Sequence, residues 1–392
     1  MSPNVPSNWR YESLGKCCAI ISGATPRRNV PEYWNNDIPW VTPKDISSLD
    51  GSVLEDAPEY ISKAGYKSCS ASILPKGSVL FSSRAPIGLV ALAGREMCTN
   101  QGFKSLIPGK RVHSEYLYHC MKWMAPKIAE LGNGATFKEV SKEVVSRVEI
   151  PLPPLLEQKR IAAILDKADV ICRKRQTAII LADDFLRATF LDMFGDPITN
   201  PKGWDKAPIG NFCRIKRGAS PRPIAKFLGG EVPWIKIGDG TKNDDIYISD
   251  TKDKIIQEGA NKSVYLEPGS LIFANCGVSL GFARIIKMAG CIHDGWLSFD
   301  NFDHKINKIY LLNALNSITN HFRKIAPDGT QPNLNTSIMK NFQLPIPPRK
   351  SQDKYSNIVI KYQENKKGLM NILQESIALF NSISQRAFRG EL

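Results

Sequence analysis

Residues 150–196 limit the possible folds more than any other stretch. They open on Ile150-Pro151-Leu152-Pro153-Pro154, pass through Leu155-Leu156-Glu157-Gln158-Lys159-Arg160, and reach Phe194 before Gly195-Asp196-Pro197. Apolar residues recur at Ile161, Ile164/Leu165, Ala168, Ile171/Cys172, Ala178/Ile179, Ala182, Phe185/Leu186 and Met193. That three–four alternation is a heptad seam. Prolines ahead of the run, and Gly and Pro after it, are helix start and stop signals. A helix of about 40 residues spans roughly 60 Å at 1.5 Å per residue, so it needs another helix along its length.

That second helix is written further on. Leu344-Pro345-Ile346-Pro347-Pro348 repeats the proline lead-in 194 residues later, and Gln352 answers Gln158. The seam returns at Tyr355, Ile358/Val359, Tyr362, Leu369, Ile372/Leu373, Ser376/Ile377, Phe380 and Ile383. The segments ahead of the two helices repeat as well. Trp204 answers Trp9, Arg217–Arg222 answers Ser22–Arg27, Val232–Lys236 answers Ile38–Pro43, Leu266–Phe273 answers Leu74–Phe81, and Cys291–Gly295 answers Cys98–Gly102. A tandem repeat of this length governs the whole fold.

Four segments follow: a mixed, mainly β domain at 1–149, a helical spacer at 150–196, a second mainly β domain at 197–343 and a second helical spacer at 344–392. The class is α+β, two mainly β domains related by a pseudo-two-fold repeat and separated by two long helices in an antiparallel coiled coil. Short strands are expected at Ile20–Ser22, Val79–Arg84 and Val90–Ala93. A helix is expected over Ser114–Leu131, with Ser114 as its N-cap, ended by Gly132-Asn133-Gly134. A last strand is expected at Val145–Ile150. In the second copy a helix over Asn307–Ile325 ends at Pro327-Asp328-Gly329.

The chain has 392 residues, 42% of them apolar, and a formal net charge of +14. The excess is +4 over 1–153, 0 over 154–196, +6 over 197–347 and +4 over 348–392. The central helix is neutral, and a polyanionic partner such as nucleic acid fits the remainder. Two readers on one pseudo-symmetric frame match the symmetry of duplex DNA, whose half-sites lie about one helical turn apart. Because the readers differ, the site need not be a palindrome. Nine cysteines without a CxxC pair make neither a disulfide framework nor a zinc site; reduced thiols in a cytoplasm are expected. No apolar run approaches about 18 residues, and the N-terminal residues lack the pattern of a signal peptide.

The repeated words together resemble the specificity subunit of type I restriction–modification systems, over essentially the whole chain. The carriers are Ser22-Gly23-Ala24-Thr25-Pro26, Ile38-Pro39-Trp40-Val41, Lys76-Gly77-Ser78-Val79-Leu80, Thr99-Asn100-Gln101-Gly102, Pro151–Leu165, and the ending Ser384–Leu392. Arg349-Lys350-Ser351-Gln352 departs from the wording of its first-copy counterpart, Leu155-Leu156-Glu157-Gln158. The resemblance implies two target recognition domains, each reading half of a bipartite site. It implies that the paired helices act as spacer and ruler, and that two methylation subunits dock on them. Those subunits carry S-adenosylmethionine for N6-adenine methylation, and restriction subunits add to the same complex. No cofactor and no catalysis are implied for this chain.

The residues agree with the last point. There is no NPPY or DPPY loop to grip a flipped adenine, and no GxxxxGK[ST] phosphate cradle. Glu59-Tyr60-Ile61-Ser62-Lys63 has nuclease-like spacing but reads as a solvated face. His113, His119, His293, His304 and His321 show no paired metal spacing, and His113 and His119 read as ordinary helix residues. Rival readings are an accessory specificity protein of another phage-defence complex, a self-sufficient DNA-modifying enzyme, and a structural bridge.

Polar residues in loops that differ between the copies are the candidate DNA contacts, since arginine forks suit guanine and Asn or Gln suits adenine. They are Arg27, Arg28, Lys44, Arg84, Asn100 and Gln101 in the first domain. In the second they are Arg217, Arg222, Lys236, Asn275, Arg284 and His293. Trp40 and Trp234 read as core. Off the seam, Lys159, Arg160, Arg173 and Arg187 are candidates to face partner subunits.

Overall fold

The computed structural model describes residues 6–35, 37–134, 138–242, 246–277, 279–326 and 333–392. It forms two compact units, 1–178 with 369–392, and 179–368. The boundary falls inside both long helices, so each unit holds one mainly β domain and a portion of each helix.

In the first unit a five-stranded sheet runs in the order Cys18–Ser22, Lys104–Pro108, Val79–Ser83, Ile87–Ala93, Val53–Leu54. Its pairs are antiparallel except the last, which is parallel. A three-stranded sheet places Ile38–Val41 between Glu59–Ile61 and Cys98–Thr99. A ribbon pairs Arg10–Ser13 with Glu149–Leu152. The helix Ser114–Glu130 lays Tyr116, Leu117, Cys120, Met121 and Ile128 onto Val79, Phe81 and Leu106, all fully buried.

The second unit repeats this topology. Its five-stranded sheet runs Arg214–Arg217, Trp296–Asp300, Leu271–Ala274, Ala283–Ile286, Tyr247–Ile248, again with only the last pair parallel. The smaller sheet gains one strand and runs Asp253–Ile255, Leu228–Ile235, Gly290–Ile292, Val264–Leu266. The ribbon pairs Lys206–Pro208 with Gln343–Pro345. The α+β class and the doubled domain are as the sequence indicates.

The two long helices are Leu155–Phe194, 40 residues, and Arg349–Arg389, 41 residues. Inside each unit they pack antiparallel. In the first unit Ile161 and Leu165 share a core with Ala387 and Phe388, while Arg175 Nη1 donates to the Ile372 carbonyl at 3.1 Å. In the second, Phe190 and Phe194 meet the Tyr355 ring at centroid distances of 5.4 and 5.5 Å. Of the expected seam, Ile161, Leu165, Ile179, Leu186 and Tyr355 are buried; Ala168, Tyr362, Leu369, Leu373 and Phe380 are half-buried. Where the pattern left two choices, the seam takes Cys172, Leu186, Leu373 and Ser376. It leaves Ile171, Phe185, Ile372 and Ile377 outside.

One joint, used twice, fixes domain to helix. Gln158 is fully buried; its Oε1 accepts from the His113 amide, and its Nε2 donates to the carbonyls of Arg111 and Pro153, all at 2.8 Å. Gln352 repeats this with the Asn307 amide and the carbonyls of Lys305 and Pro347, at 2.7, 2.9 and 2.7 Å. Tyr116 donates to the Pro151 carbonyl at 2.7 Å, and Tyr310 to that of Pro345 at 2.8 Å. The groups that the two glutamines bind lie in turns and loops outside the strand ladders, so side chains pair them. Each long helix also ends on a glycine with positive φ, Gly195 at 76° and Gly390 at 72°. A Cβ on Gly195 would crowd Pro201, and one on Gly390 would crowd Pro6.

Some local expectations change. Val145 is not in a strand: Ser141 Oγ caps the Val144 amide and Lys142–Arg147 is helical, so the strand starts at Glu149. Ser114 is the first helical residue and His113 holds the N-cap position, because Gln158 takes the His113 amide. The second-copy helix breaks at Ile318 into Lys308–Ser317 and Thr319–Ile325. Asn307, expected inside the helix, is instead its N-cap and accepts from the Ile309 and Tyr310 amides. Pro327-Asp328-Gly329 lies outside the described residues.

Candidate nucleic-acid interface

In each domain a glycine lets one loop lie on another. Gly23 donates to the Phe103 carbonyl, and a Cβ there would overlap the Asn100 carbonyl oxygen. Gly218 donates to the Trp296 carbonyl, and a Cβ there would overlap that of His293. The first-domain loop is tied down further by Ala24 N to Thr99 O at 2.9 Å and by Trp40 Nε1 to Ala24 O at 2.9 Å. Trp40 is 1% exposed and Trp234 5%, so both are core.

The first-domain candidates converge around Gly102. Asn100 Oδ1 accepts from the Gly102 amide at 2.8 Å, and a Cβ on Gly102 would touch Asn100, Pro43 and Arg84. Thr25 Oγ1 hydrogen-bonds Gln101. The helix-turn bearing Lys44 follows the strand Ile38–Val41, whose Val41 carbonyl accepts from the Asn100 amide. Lys44, Arg27 and Gln101 are exposed, and Arg84 is half-buried, 3.8 Å from Glu139.

Arg28 is placed differently. Its guanidinium lies 4.0 Å from the Trp34 ring centroid and 4.6 Å from that of Trp40, and donates to both oxygens of Glu59 at 2.6 and 2.9 Å. That geometry occupies the fork a guanine would need. Glu59 and Lys63 are both exposed, as a solvated face requires, and Glu59 is paired with Arg28 there. The Glu59 carboxyl is held below its usual range by the Arg28 hydrogen bonds.

In the second domain, position 223 answers Arg28 and is proline. The space is a cleft of about 620 Å³ lined by Pro221, Arg222, Pro223, Trp234, His293 and Asp294. Asp294 organises its polar side, accepting from Ser220 Oγ at 2.7 Å and Arg222 Nη2 at 3.4 Å, while its carbonyl accepts from Arg217 Nε at 2.9 Å. His293 Nδ1 accepts from the Gly295 amide at 2.9 Å, which leaves Nε2 as the protonated nitrogen of the neutral ring. Burial pushes the imidazole below its usual range, against the pull of Asp294 and together with Lys236, Arg217 and Arg222. Lys236 pairs with Asp253 beside the Trp234 ring.

Two second-domain candidates sit deeper. Asn275 is fully buried; its Nδ2 donates to Asn333 Oδ1 at 3.1 Å and its carbonyl accepts from the Leu334 amide, so it holds a loop in place. Arg284 donates to the carbonyls of Gly240 and Ala283 and stacks on Phe282. Sequence reasoning passed over Asp294 and Ser220, which shape the second loop. Asp294 occupies the place of Gln101 in the matching turn, and that exchange was the available signal.

Of the helix residues, Lys159 and Arg187 point outward. Arg160 is engaged by Glu157 and the Leu392 carbonyl, and Arg173 by Asp169 at 2.9 Å. His119 lies in the helix Ser114–Glu130 as expected; it is 2% exposed and meets Asp166 Oδ1 at 2.7 Å, tying the first-domain helix to the long one. Among the described residues no group of His, Cys, Asp and Glu could hold a metal, and no helix is long and apolar enough to cross a membrane.

Two copies of one framework, with different side chains on matching loops, are what a two-part reader needs. A family model described as type I restriction modification DNA specificity domain matches residues 6–180 and again 201–378. The chain belongs to that family. It is 29% identical over 377 residues to the type I restriction enzyme MjaIX specificity subunit of Methanocaldococcus jannaschii, covering 91% of this chain and 87% of that one. It is 24% identical over 432 aligned positions to the StySPI specificity subunit of Salmonella potsdam, covering 99% and 90%. A type I restriction–modification structure described for its complex assembly and conformational transition matches the fold with a TM-score of 0.63, at 21% identity over 99% of this chain and 100% of that one. The S subunit of M. genitalium matches with 0.58, at 15% identity over 99% of each. The role of this chain is sequence recognition on DNA for a type I restriction–modification system.

Proposed function

We propose that the chain reads a bipartite, asymmetric duplex site, one half per domain, and is itself without catalysis. The observation that carries this is the doubled framework with unlike loops. Lys44, Arg84, Asn100 and Gln101 gather in one domain; Arg217, Arg222, Lys236 and His293 gather in the other. Arg27 adds an exposed charge to the first. The long helices present exposed apolar residues, among them Ile171, Leu181 and Phe185 on one and Ile372, Ile377 and Leu379 on the other. Faces of this kind mark protein contacts. Two methylation subunits dock there, with Lys159 and Arg187 at the rim, and restriction subunits join the same complex. S-adenosylmethionine belongs to the methylation subunit, and the assembly works in the cytoplasm.

The test is co-expression with the methylation subunit of its own system, followed by genome-wide N6-methyladenine sequencing. One split, asymmetric motif is expected. A stable complex that methylates no motif, or a palindromic motif, overturns the reading. Methyl transfer by this chain alone would overturn the statement on catalysis.

A further inference from the structure

The two long helices are repeats of each other, but one polar contact between them occurs only once. In the second unit Asp183 accepts Lys366 Nζ through both oxygens, at 2.7 and 2.9 Å, and Tyr362 OH at 2.6 Å. Lys366 is only 8% exposed and stands in the seam seven residues after Val359 and seven before Leu373. The 194-residue offset that relates Gln158 to Gln352 puts Ile377 in the place of Asp183. It puts Cys172 in the place of Lys366 and Ala168 in the place of Tyr362. The first unit therefore meets the same step of the seam with no charge.

We propose that this clamp selects the pairing, so that the first helix accepts the second and refuses a copy of itself. Elsewhere inside each unit the facing residues are apolar, with Ile161 and Leu165 sharing a core with Phe380, Ala387 and Phe388 in the first and Leu186 with Val359 in the second, and such surfaces discriminate little. Pairing two first helices in the same register sets Asp183 against Cys172 and Ala168 of the other copy, twice over. Pairing two second helices sets Lys366 and Tyr362 against Ile377, twice over. A pair of second helices buries two Lys366 ammonium groups without a counterion, which is strongly unfavourable, and a pair of first helices leaves the partly exposed Asp183 unpaired, whereas the unlike pair satisfies both. A single polar residue in a seam position is the best-attested way to fix partner and register at modest cost. The proposal does not depend on what the domains bind. Its effect is to keep two different domains on one frame instead of two identical ones.

The test uses the full chain, nicked after folding at a protease site placed in the turn 197–203. Two nicked preparations whose first halves differ in mass are partly denatured together, refolded, and counted by native mass spectrometry. For the natural sequence, the ratio of unlike to like pairs exceeds its statistical value by about tenfold or more. The double variant D183I/K366C, which takes each residue from its repeat mate, still folds, since an apolar replacement of a buried pair is well tolerated. Its selectivity falls at least tenfold towards the statistical share. The reversed pair D183K/K366D retains selectivity. The proposal is overturned if the natural sequence forms like pairs at the statistical share. It is equally overturned if D183I/K366C stays selective, or if the reversed pair behaves like D183I/K366C.

Discussion

The glutamine joint is the feature whose loss can be estimated most directly. In Gln158→Met the replacement is unbranched and of similar volume, so packing changes little. Three hydrogen bonds of 2.8 Å disappear, and the His113 amide and the carbonyls of Arg111 and Pro153 lose the fully buried Gln158 side chain as their partner. At about 1 kcal/mol for each lost bond, the cost is about 3 kcal/mol. Since 1.4 kcal/mol is a factor of ten, local opening becomes about a hundredfold more frequent. Hydrogen exchange read peptide by peptide is the assay. The segments around His113 and Pro153 exchange about a hundredfold faster, while the equivalent segments around Asn307 and Pro347 are unchanged. Gln352→Met gives the reverse pattern. If Gln158→Met lies within 1 kcal/mol of the natural sequence and His113 stays protected, the joint does not hold domain to helix and the argument fails.

Gly23→Ala and Gly218→Ala each force a loop off the turn beneath it, for about 3 kcal/mol of overpacking, and abolish specific DNA binding in a filter or fluorescence assay while the helices stay folded. Arg28→Ala removes two cation–π contacts of about 0.5–1 kcal/mol each. It lowers thermal stability without changing the salt dependence of DNA binding, whereas Lys44→Ala reduces that salt slope by about 1 if Lys44 meets a phosphate. The half-buried His293 has a depressed folded pKa, so on acidification the unfolded chain binds that proton first. Its contribution to stability is complete above about pH 6.5 and is lost as pH falls through the folded value; His293→Gln flattens this limb of the thermal midpoint against pH.

The repeat made the architecture legible, because proline lead-ins, heptad spacing and glycine stops are local signals that survive divergence. The same signals misled at Val145, where β-branched residues suggested a strand but the Ser141 cap starts a helix. The break at Ile318 has no local mark, since Asn316 supplies the Ala283 amide with an acceptor across the sheet. The candidate interface was read at the level of loops and not of side chains. Arg28 and Asn275 are polar residues in the right segments, yet aromatic rings and Glu59 enclose one and a buried loop contact holds the other. Gln158 and Gln352 stood out as a repeated letter, but their role depends on main-chain groups about 45 residues away, which spacing does not reveal.

The glycine stops have a topological consequence. Gly195 hands the chain to Pro201 and Trp204 as it enters the second domain, and Gly390 lies against Pro6 and Trp9 where the first domain begins. Each domain therefore meets a helix-ending glycine with a proline, Pro201 at Gly195 and Pro6 at Gly390, so one kind of joint is used twice. A version opened in the turn after Gly195, with positions 6 and 390 bridged by a short linker, should keep every domain-to-helix contact and fold to the same two units.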